Sequence, residues 1–315
     1  MLTNLNSVLK KARKGGYAVG AFNINNLEIA QAIIDAAESL KAPVILQTSE
    51  GALNYAGMDY LAAIAHVAAH GASIPVVFHL DHGKNEVLVK TAIKSGFYTS
   101  VMYDGSAHNF KENIKKTKHM VKLAHTRKIT VEAELGAIAG VEDLVKVKDR
   151  DAFFTNPAQA EIFVKETKCD ALAISIGTAH GAFKKKAKGD IKLDLKRLEQ
   201  ISKRVSVPLV LHGASGIDDK WIKRLHKQCS ILGDCKRLAG AKGVPMSEEK
   251  KAIKKGVAKI NIDSDLRIAF TASVRETIIN DKEVFDPRKI MGPARDLVSQ
   301  VVKEKIKAFG SAGKA

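Results

Sequence analysis

Three short motifs carry the residues best able to do chemistry: His79-Leu80-Asp81-His82-Gly83, Gly177-Thr178-Ala179-His180-Gly181 and His212-Gly213-Ala214-Ser215-Gly216. Each sets a histidine beside a glycine. Any one of the chain's ten histidines, taken alone, reads as a hydrogen-bonded or solvent-exposed residue. Three in matching contexts reverse that reading. Neutral imidazoles from His82, His180 and His212, brought together, would bind Zn²⁺ with a fourth position open, the arrangement of a catalytic rather than a structural metal. Asp81, next to one of them, is placed for proton transfer to a bound substrate. His79 lies two residues before Asp81, so strand alternation puts it on the same face and deeper, as a packing or supporting residue. His66, His70, His108, His119, His125 and His226 read as surface residues. Gly213-Ala214-Ser215-Gly216 and Asn261-Ile262-Asp263-Ser264-Asp265 read as anion-binding loops, where backbone N–H groups meet a helix start. Ordinary turn and capping chemistry is the competing reading for both.

Positioning these motifs requires elements that end at one face. Apolar or β-branched runs at 19–24, 43–48, 75–80, 99–103, 130–135, 171–176, 208–211 and 257–262 predict eight strands. Amphipathic stretches at 27–40, 58–69, 85–94, 109–126, 156–167, 195–205, 218–228 and 266–280 predict the helices between them. Eight buried parallel strands, each followed by a helix, favour an α/β fold of the closed (β/α)₈ type, a TIM barrel, whose reactive groups gather at the C-terminal strand ends. An open doubly wound sheet would call for a G-x-G-x-x-G turn after an early strand, and the sequence has none. No linker divides the chain, so 1–315 is expected to form one domain, with a loop insertion at about 230–244 and a C-terminal helical arm at about 287–309. The arm's apolar face (Leu297, Val301, Ile306) is expected to bury against a partner subunit.

Composition narrows the class further. With 45% hydrophobic and 27% charged residues, the chain excludes collagenous, coiled-coil and disordered readings. No apolar run approaches the ~18 residues of a membrane span. The start, Met1-Leu2-Thr3-Asn4-Leu5-Asn6, leads into the basic stretch Lys10-Lys11-Ala12-Arg13-Lys14 and not into a secretory signal, so a cytoplasmic location with no membrane partner is expected. Cys169, Cys229 and Cys235 form no C-x-x-C pair and are expected to be reduced, inert thiols. The net charge of +17 (51 − 34) first suggests nucleic acid, a membrane surface or a phosphorylated substrate. The positive residues are spread over the whole chain and aromatics are only 5%, which favours a lysine-rich surface and leaves nucleic-acid binding a remote alternative.

At these residues the sequence resembles the class II, metal-dependent fructose-bisphosphate aldolases. The resemblance runs end to end through Gly20-Ala21-Phe22-Asn23, Gln47-Thr48-Ser49-Glu50-Gly51-Ala52, the Asp81-His82 motif, Ser100-Val101-Met102-Tyr103-Asp104, Val131-Glu132-Ala133-Glu134-Leu135-Gly136, the His180 and His212 motifs, and Asn261-Ile262-Asp263-Ser264-Asp265-Leu266-Arg267. It implies a lyase that cleaves fructose 1,6-bisphosphate to dihydroxyacetone phosphate and glyceraldehyde 3-phosphate in glycolysis and gluconeogenesis, through a zinc-stabilised enediolate. In that family His82, His180 and His212 correspond to the zinc ligands and Asp81 to the acid/base at the C4 hydroxyl. Asn261 corresponds to an oxyanion hydrogen-bond donor, and Glu142 to a mobile-loop glutamate that moves a proton. Asp104 and Glu134 match positions for a second divalent metal, with hydrogen bonding to the histidines as the alternative. Gly181, Lys184, Gly213, Ala214, Ser215, Asn261, Ile262, Asp263 and Ser264 match substrate contacts, and Ser49 and Arg267 match contacts on the glyceraldehyde 3-phosphate side. The resemblance also implies a homodimer or homotetramer and admits a monovalent cation. Tagatose 1,6-bisphosphate is the alternative substrate; the His180-Gly181-Ala182-Phe183-Lys184 run, the length and the arm look more like the fructose group.

Overall fold

A computed structural model describes residues 1–137, 139–142, 145–147, 154–180, 192–216, 219–232 and 243–315, with backbone alone at 139–142, 145–147, 179–180, 219, 230 and 232. The chain begins with β1 (Leu2–Thr3), α1 (Leu5–Gly15), β2 (Val19–Asn23), α2 (Leu27–Ser39), β3 (Val44–Thr48), α3 (Glu50–Ala56) and α4 (Met58–Gly71). It continues through β4 (Val76–Gly83), α5 (Glu86–Ser95), β5 (Ser100–Tyr103), α6 (Phe110–His125), β6 (Thr130–Leu135), β7 (Ala139–Glu142) and β8 (Val145–Val147). The remainder is α7 (Pro157–Thr167), β9 (Ala171–Ile174), β10 (Ala179–His180), α8 (Leu195–Arg204), β11 (Leu209–Leu211), α9 (Asp219–Leu232), α10 (Met246–Ile253), β12 (Val257–Ile262), α11 (Ser264–Asn280) and α12 (Pro287–Phe309).

Strands β2, β3, β4, β5, β6, β9, β11 and β12 pair in parallel, and the β4–β5 pairing together with β12–β2 closes them into the expected TIM barrel. Their outward residues pack under the helices. Asn26, Asn85, Asn109, Asn156 and Asp194 cap α2, α5, α6, α7 and α8, each accepting a backbone N–H at the turn from strand to helix. Among the described residues no helix is long and apolar enough to cross a membrane.

Three features differ from expectation. The basic stretch at 10–14 belongs to α1, whose Leu5, Val8, Leu9 and Ala12 recur at helical spacing and plug the lumen floor against Ala21, Ile45, Val77, Met102, Ala173 and Val210. The C-terminal arm needs no partner subunit to cover it. α12 lies on α2 and α11, across the seam where β12 meets β2, and Leu297, Val301 and Ile306 are buried in the chain's own core. Finally, Cys229 is disulfide-bonded, where a reduced thiol was expected; Cys169 is a buried free thiol whose pKa burial pushes up to about 12. Of the expected insertion at 230–244, residues 233–242 lie outside the described residues.

Candidate active site and metal centre

Strand alternation alone would put Asp81 inside the lumen and His82 outside it. The register between β4 and β5 shifts between Leu80 and Gly83, and His82 takes a left-handed φ of 47°. That bulge turns two consecutive side chains toward one site, a conformation that is uncommon for a residue with a Cβ and concentrates at functional positions. The His82 amide donates to Met102 Sδ at 3.3 Å, which holds the bulge. Gly83 is needed beside it, because a Cβ there would lie 2.5 Å from the Met102 carbonyl oxygen and 2.5 Å from Val89. The glycine that marks the motif in the sequence therefore has a steric cause.

Carboxylates fix which nitrogen of each imidazole carries its proton. Asp104 Oδ2 meets His82 Nδ1 at 3.2 Å, and Glu132 Oε1 meets His212 Nε2 at 2.7 Å. A carboxylate only accepts, so both of those nitrogens donate, which leaves His82 Nε2 and His212 Nδ1 as the nitrogens that could ligate a metal. These two nitrogens face each other at 2.7 Å, deep in the barrel mouth. Asp81 offers a carboxylate oxygen within the same cluster. The donor set of two imidazoles and a carboxylate suits zinc. A second group joins His82 to Asp104 and Glu134, whose buried Oε2 has no hydrogen-bond partner and lies 3.9 Å from His82 Nδ1.

The electrostatics have the same origin. Burial opposes a charge on His82, but Asp81, the Asp104 hydrogen bond and Glu134 outweigh it and lift its pKa to about 10. Burial also opposes ionisation of Asp104, yet the His82 hydrogen bond, the His82 charge and Lys84, 3.6 Å away, hold its carboxyl well below the usual range. Glu134 moves the other way, pushed up by burial and then by Asp104. His79, one alternation below Asp81, is kept neutral by burial and by the charge of Lys259. Its Nδ1 hydrogen-bonds Ser100 Oγ at 2.9 Å.

Asp81 is held at both oxygens. Asn261 Nδ2 donates to Oδ1 at 2.9 Å and Gln47 Nε2 donates to Oδ2 at 3.1 Å, while Gln47 also donates to Asn23 at 2.7 Å. The Asn261 amide lies 3.2 Å from His212 Nδ1 as well, so it links the carboxylate to the histidine cluster. The two loops expected to bind an anion are tied together where the Asp263 amide donates to Ser215 Oγ at 3.3 Å. Gly213 turns its loop with φ of 58°, and Ala214 is buried. Ile262 is buried in the core and registers with Phe22 on the neighbouring strand. Ser264 opens α11, whose N-terminus has no side-chain hydrogen bond from Asp263.

The structure thus gathers Asp81, His82, Asp104, Glu134, His212 and Asn261 at one site. Ser49 caps α3, accepting the Ala52 amide at 3.2 Å. Arg267 Nε pairs with Asp263 Oδ1 at 2.8 Å, the ordinary ion pair that competes with a substrate role. His180 and Glu142 are described by backbone alone: β10 pairs with β7, His180 opposite Gly140, and β7 pairs with β8, Glu142 opposite Val145, so both residues belong to one three-stranded sheet. Gly181 and Lys184 lie outside the described residues. Sequence reasoning gave no role to Gln47 and Lys259 and quoted Glu132 only within a motif. The signal for them was available: a polar residue alternating within an apolar barrel strand, as in Thr130-Val131-Glu132-Ala133-Glu134 or Ala258-Lys259-Ile260-Asn261, points into the lumen.

Comparison with known proteins agrees with this geometry. A sequence model described as "Fructose-bisphosphate aldolase class-II" matches residues 3–314. A fructose-bisphosphate aldolase of Thermus caldophilus is 48% identical over 315 residues, covering 100% of both chains. One from Helicobacter pylori is 46% identical with the same coverage. Among solved structures, the YdjI aldolase of Escherichia coli K12 superposes with a TM-score of 0.78 at 33% identity, covering 100% of each chain.

Proposed function

The chain belongs to the class II fructose-bisphosphate aldolases, a lyase family, and we propose that its barrel mouth divides the reversible cleavage of fructose 1,6-bisphosphate among the residues described above. The observation that carries this reading is the convergence of His82, His212 and the Asp81 carboxylate in the barrel mouth, with His82 Nε2 and His212 Nδ1 2.7 Å apart. The family implies a metal, zinc. His82 and His212 would hold it, joined by His180 on the family's pattern, and Asp104 and Glu134 would take a second divalent ion. A bound metal supplies a Lewis acid for the negative charge left on the ketone half when the C3–C4 bond breaks.

The chain's own groups do the rest. Asp81 accepts the C4 hydroxyl proton on cleavage and returns it on condensation. Its two hydrogen bonds, from Asn261 and Gln47, hold both of its oxygens and aim it. The Asn261 amide also donates toward the oxygen on which charge develops. Glu142 moves a proton at the ketone-half carbon. Gly213 to Ser215, together with Asn261 to Ser264 and Gly181, bind the dihydroxyacetone phosphate half; Ser49 and Arg267 bind the other, and Lys184 is a further substrate contact. Two phosphates at opposite ends orient the substrate, so binding energy far from the reacting bond serves the chemistry. No lysine Schiff base is required. Chain 1–315 acts as a single barrel domain in a homodimer or homotetramer, with a monovalent cation as a further cofactor; native mass and a potassium titration test these points.

Cleavage assays on fructose and tagatose 1,6-bisphosphates, with and without a chelator, test the whole reading. Chelation should abolish cleavage, Zn²⁺ should restore it, and fructose bisphosphate should be preferred. Full activity after exhaustive metal removal, or a borohydride-trapped lysine adduct, would overturn the mechanism.

A further inference from the structure

Lys259 takes no part in the proton transfers above, yet it lies directly beneath them. It is 0% exposed, on β12, with Val19 opposite on one neighbouring strand and Val210 on the other. Its Nζ is 2.9 Å from Glu132 Oε2 and donates to Asn261 Oδ1 at 2.8 Å. An ammonium has three donors and no lone pair, so each neighbour must turn an acceptor toward it. For Asn261 this fixes the amide: the oxygen faces Lys259, and Nδ2 is left for Asp81 and His212. For Glu132 it anchors one oxygen, leaving the other on His212 Nε2 at 2.7 Å. That contact keeps the proton on Nε2 and the lone pair on Nδ1, the nitrogen that faces His82.

We propose that Lys259 is a positioning residue for the aldol reaction, one buried ammonium that orients both the Glu132 carboxylate on His212 and the Asn261 amide on Asp81. That role presupposes the reading above, in which His212 is a metal ligand and Asp81 carries the proton. Stability alone is a weak reason for the group, since a buried ion pair is often no better than apolar packing of the same volume. A methionine beside Val19 and Val210 would fill the space.

Lys259→Met tests the proposal by zinc affinity, measured by competition with a chromophoric chelator, by the visible spectrum of the Co²⁺-substituted protein, and by steady-state kinetics. Zinc affinity should fall ~10–100-fold and the Co²⁺ spectrum should change, as when other outer partners of metal-bound histidines are lost. The kcat should fall ~10–100-fold while KM moves less than threefold, because the phosphate loops are untouched. Because Lys259→Met strands the Glu132 charge, Lys259→Met/Glu132→Gln is made as well, restoring neutrality, and should show the same loss of zinc affinity. A folded protein of either kind with parental zinc affinity, Co²⁺ spectrum and kcat would overturn the proposal. His212→Ala separates the two levels. Loss of zinc there with parental behaviour in the Lys259 variants would sink the positioning role alone; retention of stoichiometric zinc would sink the ligand assignment and the positioning role together.

Discussion

The lumen floor and the lumen mouth are built on the same eight strands with the same alternation, and they differ in everything else. At the floor, Ile45, Val77, Met102, Ala173 and Val210 meet the apolar face of α1. One alternation higher, the same strands present Gln47 above Ile45, His79 and Asp81 above Val77, and His212 above Val210. The floor stabilises by removing apolar area from water, about 25 cal/mol per Å². The mouth buries charges and amides, each tolerable only because another polar group satisfies it. Stability and chemistry are therefore separated along the strand by about one pleat. A substitution should change one and spare the other according to its height.

His212→Ala is the largest test of that separation. It should lose bound zinc along with all measurable cleavage, with the secondary structure retained. Zinc at stoichiometry by atomic absorption in the purified variant would refute the ligand assignment. Asp81→Ala comes next. Zinc should stay and substrate should still dock, while kcat falls by ~10²–10⁴, the usual contribution of a placed acid/base. A larger change in KM than in kcat would make Asp81 a substrate-positioning residue instead. On the floor, Leu9→Ala should show the opposite pattern. Deleting a fully buried side chain in the plug should lower stability by about 2–5 kcal/mol in denaturant titrations, with zinc affinity and kcat within a factor of about two. A Leu9→Ala protein with weakened zinc binding would mean that the floor sets the mouth's geometry, and the two regions could not be separated.

The comparison also explains what was legible in the sequence. The barrel strands and the helices following them were readable because burial on both faces writes apolar runs, and burial on one writes helical periodicity. α1 was hidden because its apolar positions alternate with lysines and an arginine, so composition masked spacing. The inward turn of His82 was beyond alternation, which places it outside; only Gly83 hinted at the bulge. Motif reading singled out the histidines and Asp81 but left Gln47 and Lys259 without roles and Glu132 unremarked, since these touch another side chain across the lumen and not a neighbour in sequence. The fate of the arm was a matter of packing: an apolar helix face says that it must be covered, not by what.

Arg267 tests the rim, where neither regime fully applies. Its side chain is 40% exposed on the first turn of α11, and its Nε meets Asp263 at 2.8 Å. Asp263 itself is buried, so the pair joins a half-exposed guanidinium to a buried carboxylate; solvent screens it at the arginine end, and alone it would leave catalysis untouched. A guanidinium, however, donates through several nitrogens in one plane and can hold a phosphate at two points, whereas lysine brings a single point charge. Arg267→Lys keeps the charge and removes that geometry. If Arg267 clamps the far phosphate, kcat/KM for fructose 1,6-bisphosphate should fall by about tenfold, equivalent to ~1.4 kcal/mol, the scale of one charge-assisted hydrogen bond. Fructose 1-phosphate, which lacks the far phosphate, should show almost no change. Equal penalties on the two substrates would place the effect in the Asp263 loop or the metal site, and no penalty on either would leave Arg267 as a surface ion pair. Only the unequal result makes the rim part of the binding machinery, with its contribution limited by exposure as the mouth's is not.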